Sequence, residues 1–274
     1  MTYEANASGG GAGTFLALLA RDLRVLRRQG PMVTARTIVQ PFLFVFVFAY
    51  VFPKIGQGFR PGPEGESFST VLVPGLVAVA INLQGVVAVT QPLVRELGSG
   101  VGEMEDRVLA PIPVAMIGLE KIAAGAIQAM IAALIVLPIV YVVHASGETP
   151  AIHVSSWPLF LGVLLLDALL GASLGLVVGT LLDPRSSQLL FAVIVVPLTM
   201  LGCVYYPWAT LEPIRWLQLL VLLNPLVYMS ESLRMVMTPQ LPHMALPAIL
   251  LALVVGTITL AVLGIKLFTR RVLA

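Results

Sequence analysis

The chain has 274 residues, of which 58% are hydrophobic and only 11% charged, with a formal net charge of +2 and a mean hydropathy of +0.96. Soluble domains carry about 25% charged residues, so this composition excludes a water-exposed globular surface and indicates an integral membrane protein. The single cysteine, Cys203, excludes an intrachain disulfide and a cysteine-based metal or redox framework.

Residues 1–13 are polar and glycine-rich, the composition of a disordered tail. No basic region runs directly into an apolar core there, so a cleaved signal peptide is not expected and the first span serves as the insertion signal. Residues 14–28 predict an amphipathic helix. Leu16, Leu19, Leu23 and Leu26 recur at helical spacing, while Arg21, Arg24 and Arg28 share another face. A helix of this kind lies in the membrane interface with its arginines among anionic headgroups. Gly30-Pro31 ends it.

Crossing the hydrocarbon core takes about 20 apolar residues. Six stretches qualify, at about 33–52, 71–94, 117–143, 158–182, 187–207 and 245–268. A further apolar run at 216–229 is short and interrupted by Asn224-Pro225, which predicts a re-entrant or surface-lying segment. The expected fold is therefore an all-α integral membrane protein. It has six transmembrane helices, an N-terminal interfacial helix and a re-entrant segment between spans five and six, with residues 14–274 as one domain. Tandem or inverted repeats and a soluble domain are not discernible.

Lys and Arg concentrate on one side of this layout. Arg21, Arg24, Arg27, Arg28, Arg36, Lys266, Arg270 and Arg271 flank the termini, and Arg95, Arg107 and Arg185 lie in the connections on the same side. The positive-inside bias makes both termini cytoplasmic and turns the re-entrant segment outward.

Within the spans, Gly171, Gly175 and Gly179 repeat every fourth residue and form a smooth stripe suited to close helix contact. Asp167 extends that stripe by one turn. A carboxyl at mid-span faces protein or water, so Asp167 either lines a substrate or proton route or is hydrogen-bonded at a helix contact. Asn82, Gln84, Thr90 and Gln91 in the second span carry the same two alternatives, path lining or interhelical bonding. His144, Glu148 and His153 match no familiar metal spacing, and no metal site is expected. Phosphate-loop, nucleophile-elbow and zinc-protease motifs are all missing, so no catalytic residue is expected, and any ATP that drives this chain is bound elsewhere.

One hydrophilic stretch, 95–121, separates the second and third spans. Leu97, Val101, Met104 and Val108 form an apolar helical stripe, and Glu103 and Arg107 are i,i+4 partners. Gly98, Gly100 and Gly102 weaken the start, leaving 103–109 as the secure helix before Pro111 and Pro113. A short amphipathic nub on the cytoplasmic face is either a solvated loop or a docking knob for a partner.

These features together resemble the permease subunits of type-2 ATP-binding-cassette (ABC) exporters. The resemblance rests on the six-span layout behind an interfacial helix and on Arg95-Glu96, Gly102, Glu103, Asp106-Arg107, Pro111, Pro113 and Lys121 after the second span. It rests also on Tyr206-Pro207 followed by Asn224, Pro225, Tyr228, Glu231 and Arg234. It implies a coupling helix, with Glu103, Glu105, Asp106 and Arg107 docking on an ATP-binding subunit. It further implies two copies of that subunit, which would hold the ATP and Mg, and a second permease chain, identical or homologous. The setting would be the plasma membrane, with lipid contacts and no nucleic acid. Glu231 and Arg234 would brace the re-entrant segment. With 7% aromatic residues and no aromatic stripe evident, an apolar or amphiphilic substrate fits better than a polysaccharide. An ion-coupled secondary transporter using Asp167 is the other class considered.

Overall fold

The computed structural model describes residues 10–28, 39, 42–43, 45–55, 68–98, 113–143, 149–182, 193, 195 and 197–273. Regular structure among the described residues is entirely helical. Helix α1 is Gly10–Arg28, starting ahead of the expected Thr14. The expected first span lies largely outside the described residues; its described end is π-helical over Phe46–Val51 and closes with one α-turn, Phe52–Lys54.

Among the described residues, four helices are long and apolar enough to cross a membrane: α2 (Phe68–Gly98), α3 (Val114–Val142), α4 (Trp157–Leu181) and α7 (Leu246–Leu273). They occupy the positions expected of the second, third, fourth and sixth spans. At about 1.5 Å per residue, the 31 residues of α2 exceed a hydrocarbon core about 30 Å thick. Pro74 and Pro92 sit inside α2, and Pro138 inside α3. Interior prolines are tolerated in spans because neighbouring helices and local adjustments satisfy the freed carbonyls.

Helix α2 is central. Helices α3, α4 and the later α6 all pack on it, and Leu72, Val73, Val77, Ala78 and Ile81 are buried. Such all-round apolarity is the signature of a fully enclosed helix. Helix α7 is peripheral. It contacts α3, α4 and α6 yet exposes Leu251, Val255, Ile258 and Val262 on one stripe.

The expected fifth span is described only from its C-terminal half, and there it stops early. Helical geometry ends at Met200, and 201–206 turn out of it, with Cys203 in left-handed backbone at φ 51°. Uninterrupted hydropathy through Tyr206 had concealed that turn. A 3-10 turn, Trp208–Leu211, follows. Next come α5 (Arg215–Leu220), extended as 3-10 over Val221–Leu223, and α6 (Pro225–Met237). The two arms, Arg215–Leu223 and Pro225–Met237, meet at 99°. The bend falls at the Asn224-Pro225 break, where proline lacks the N–H that would continue the helix.

Candidate functional site: the buried polar hub on α6

The bend is fixed by Asn224. Its Oδ1 accepts from Leu226 N at 3.0 Å, capping α6, and its Nδ2 donates to Leu198 O at 2.7 Å. Pro225 follows at the first helical position, where a missing N–H costs nothing. Tyr228 Oη donates to Leu222 O at 2.9 Å, tying the two arms across the corner.

Beyond the bend, α6 carries polar side chains held inside the protein among apolar ones. Ser230, Glu231, Ser232 and Arg234 are all 0% exposed. Glu231 Oε1 accepts from Arg234 Nη1 at 2.5 Å and from Trp208 N at 2.9 Å, while Oε2 accepts from Met244 N at 2.9 Å. Arg234 Nη2 donates to Cys203 O at 3.1 Å, and Ser230 Oγ to Gly202 O at 2.8 Å. Glu231 thus holds the 3-10 turn and the approach to α7, while Arg234 and Ser230 hold the 201–206 turn. A buried ion pair holds only when its remaining donors and acceptors are satisfied, and backbone groups satisfy most of them here. Arg234 Nε alone lacks a partner. Trp208 Nε1 donates to Gln218 O at 3.0 Å, closing the same unit onto α5.

The unit is seated on α2 and on the 149–156 connection. A Cβ on Gly75 would lie 2.1 Å from Val204 O, so only glycine admits this backbone. Ala151 N donates to Thr70 Oγ1 at 2.9 Å, His153 N to Met237 O at 2.8 Å and Ser155 N to Val236 O at 3.1 Å.

The glycine stripe of α4 meets α2. A Cβ on Gly175 would come within 2.8 Å of Val86 O, one on Gly171 within 3.3 Å of Asn82 Cα, and one on Gly179 within 3.1 Å of Thr90 Cα. Close packing of this kind replaces the hydrophobic drive that lipid does not supply between helices. Thr90 Oγ1 donates to Gly175 O at 2.9 Å across the seam. Asn82 is buried in the seam with Oδ1 unpartnered, while Gln84 and Gln91 are half-buried. Asp167, one turn away on α4, is 0% exposed and meets Ser232 Oγ at 3.2 and 3.4 Å.

At the other end of the bundle, Glu96 of α2 pairs with Lys121 of α3 at 2.8 Å, both nearly buried, and Glu120, the preceding residue of α3, is buried. Arg271 of α7 donates to the carbonyls of Thr180 and Leu182, at 2.9 Å to the latter, satisfying the end of α4. The proposed coupling residues Glu103, Glu105, Asp106 and Arg107 lie outside the described residues, as do His144 and Glu148. Arg21 and Arg24 of α1 are exposed, and the side chain of Arg28 is outside the description. Among the described residues no cluster of metal-ligating side chains forms.

Sequence reasoning did not bring out the Glu96–Lys121 pairing, Ser232, or an aromatic stack. Phe42 and Phe46 stack at 6.1 Å and Phe46 and Tyr50 at 5.3 Å, with both phenylalanines exposed. Their i,i+4 spacing carried that signal, but the alternation of Phe42, Phe44, Phe46 and Phe48 obscured it.

Several apolar spans, a glycine-packed seam and a helix broken at a buried polar hub define a polytopic membrane protein. A family model described as ABC-2 type transporter matches residues 13–238, and the chain belongs to that family. It is a membrane permease component of a transporter, without catalytic chemistry of its own. No curated protein matches the chain significantly.

Proposed function

We propose that the chain is the permease subunit of an ABC exporter. It would pair with a second permease chain, identical or homologous, and with two ATP-binding subunits that carry ATP and Mg. The family match over 13–238 carries this reading. The lack of a phosphate loop supports it, since the driving nucleotide then needs another chain. The acidic segment with Glu103, Glu105, Asp106 and Arg107 would be the docking knob, and the Glu96–Lys121 pair closes its base. Residues 14–274 would act as one transmembrane domain in the plasma membrane, with both termini cytoplasmic as the basic residues imply. Helix α1 would lie in the interface with Arg21, Arg24 and Arg28 among headgroups, and the bent α5–α6 element would be the outer re-entrant segment.

The few polar groups within the spans favour an apolar or amphiphilic cargo, drug-like or lipid-like, moved out of the cytoplasm. The stack of Phe42, Phe46 and Tyr50, with both phenylalanines exposed, supports a second reading, polysaccharide export, since sugars stack on aromatic faces. F42A/F46A separates the two. It lowers export of a sugar polymer and spares a hydrophobic dye in the second case, and does not discriminate between them in the first.

The test of the partner is a mild-detergent pull-down of the tagged chain from its native membrane. A phosphate-loop ATPase should copurify, and reversal of Glu103, Glu105 and Asp106 to Lys should release it. Recovery without any ATPase, under conditions that keep other complexes whole, refutes the reading.

A further inference from the structure

We propose that Asp167 is a positioning residue: through Ser232 it fastens the hub helix α6 to α4, so that the bent element and α4 move as one body and Asp167 stays off the transport path. The proposal rests on the permease reading for the existence of a path, but not for the fastening.

A carboxyl inside a span faces protein or water. Asp167 faces protein: it is 0% exposed, and its hydrogen-bond contacts among the described residues are to Ser232 Oγ on α6, at 3.2 Å from Oδ2 and 3.4 Å from Oδ1. Ser232 Oγ also lies 2.8 Å from Met229 O on its own helix. The Ser232 hydroxyl is the donor toward both the carboxyl and that carbonyl. An amide oxygen at position 167 accepts as a carboxyl oxygen does, which makes Asp167→Asn the conservative variant.

The other polar side chains of α6 make hydrogen bonds elsewhere, Tyr228 to Leu222 O. Ser230, Glu231 and Arg234 reach the backbone at 202, 203, 208 and 244. Ser232 is the residue of this set directed at a side chain of α4. The stripe that carries Asp167 is itself pressed against α2 through Gly171, Gly175 and Gly179, so the fastening joins two tightly packed units.

Hydrogen exchange of the full-length chain in micelles, read by mass spectrometry, tests the fastening. Asp167→Ala and Ser232→Ala should each speed exchange over 225–237 roughly tenfold, the scale of one buried hydrogen bond lost. Exchange in α3 and α7 should stay as it was. The double variant should be no worse than the more severe single one, because coupled groups are non-additive, and Asp167→Asn should match the parent. If Asp167→Ala does not fold, Ser232→Ala, which removes one oxygen, carries the same expectation. Unchanged exchange at 225–237, a uniform rise across all helices, or additive singles would overturn the proposal.

Solvent access gives the second arm. In a Cys203→Ala background, Asp167→Cys should resist a membrane-impermeant maleimide in native vesicles, with and without Mg–ATP. Labelling would place position 167 on an aqueous route and overturn the proposal even if an ATPase copurifies. Failure of the pull-down would leave the exchange result standing.

Discussion

Removing the carboxylate of Glu231 should be among the most damaging single changes in this chain. Glu231→Ala strands Arg234, whose guanidinium is 0% exposed and would keep only Cys203 O as a partner. Breaking a buried pair by deleting one member costs about 3–5 kcal/mol. The backbone N–H groups of Trp208 and Met244 lose their acceptor as well, at about 1 kcal/mol or more each. A total of roughly 5–7 kcal/mol rivals the whole stability of many domains, about 5–15 kcal/mol. Glu231→Gln keeps the shape but turns an NH2 toward one of those donors, so it should fall between the parent and the alanine variant. Replacing both partners, as Glu231→Leu with Arg234→Met, removes the stranded charge and should recover part of the loss, leaving the orphaned N–H groups. The assay is the fraction of monodisperse chain after graded heating in detergent. An alanine variant that melts with the parent, or a double variant less stable than Glu231→Ala, would refute the reasoning.

Three further outcomes follow from the same geometry. Gly75→Ala should destabilise by several kcal/mol, since its Cβ would collide with Val204 O at 2.1 Å, whereas Gly162→Ala, with nothing within 4 Å, should be neutral or slightly stabilising in the same heating assay. Lys121→Met should lower the melting point by removing the ammonium 2.8 Å from the nearly buried Glu96 carboxylate, and Glu96→Gln combined with it should restore part of the loss. Asn224→Ala should cost about 1–2 kcal/mol through the lost cap and the lost donation to Leu198 O, while Asn224→Asp should retain the cap alone and fall between.

How much of this was legible in the sequence depends on the range of each signal. The four described spans follow from runs of apolar residues, and the bend follows from Asn224-Pro225; both are local. The stripe of Gly171, Gly175 and Gly179 announced a close helix contact because every fourth residue of a helix shares a face, although it could not say that α2 would fill it. Contacts between distant positions left no such mark. Glu96 and Lys121 were visible as separate charges, 25 residues apart, and Ser232 was a small polar residue between Glu231 and Leu233. The turn at 201–206 was concealed because Leu201, Cys203 and Val204 are apolar: hydropathy registers oiliness, not the left-handed backbone at Cys203.

The hub on α6 also bears on how freely its surroundings can diverge. Glu231 and Arg234 grip main-chain atoms of Cys203, Trp208 and Met244, not their side chains. Every residue but proline offers the same N–H, and every residue the same carbonyl. The clasp therefore reads the course of the main chain and not the side chains at 208 and 244, whereas at 203 the left-handed backbone and full burial restrict the residue independently of it. Such a clasp fixes where the chain runs while leaving part of its own sequence unspecified.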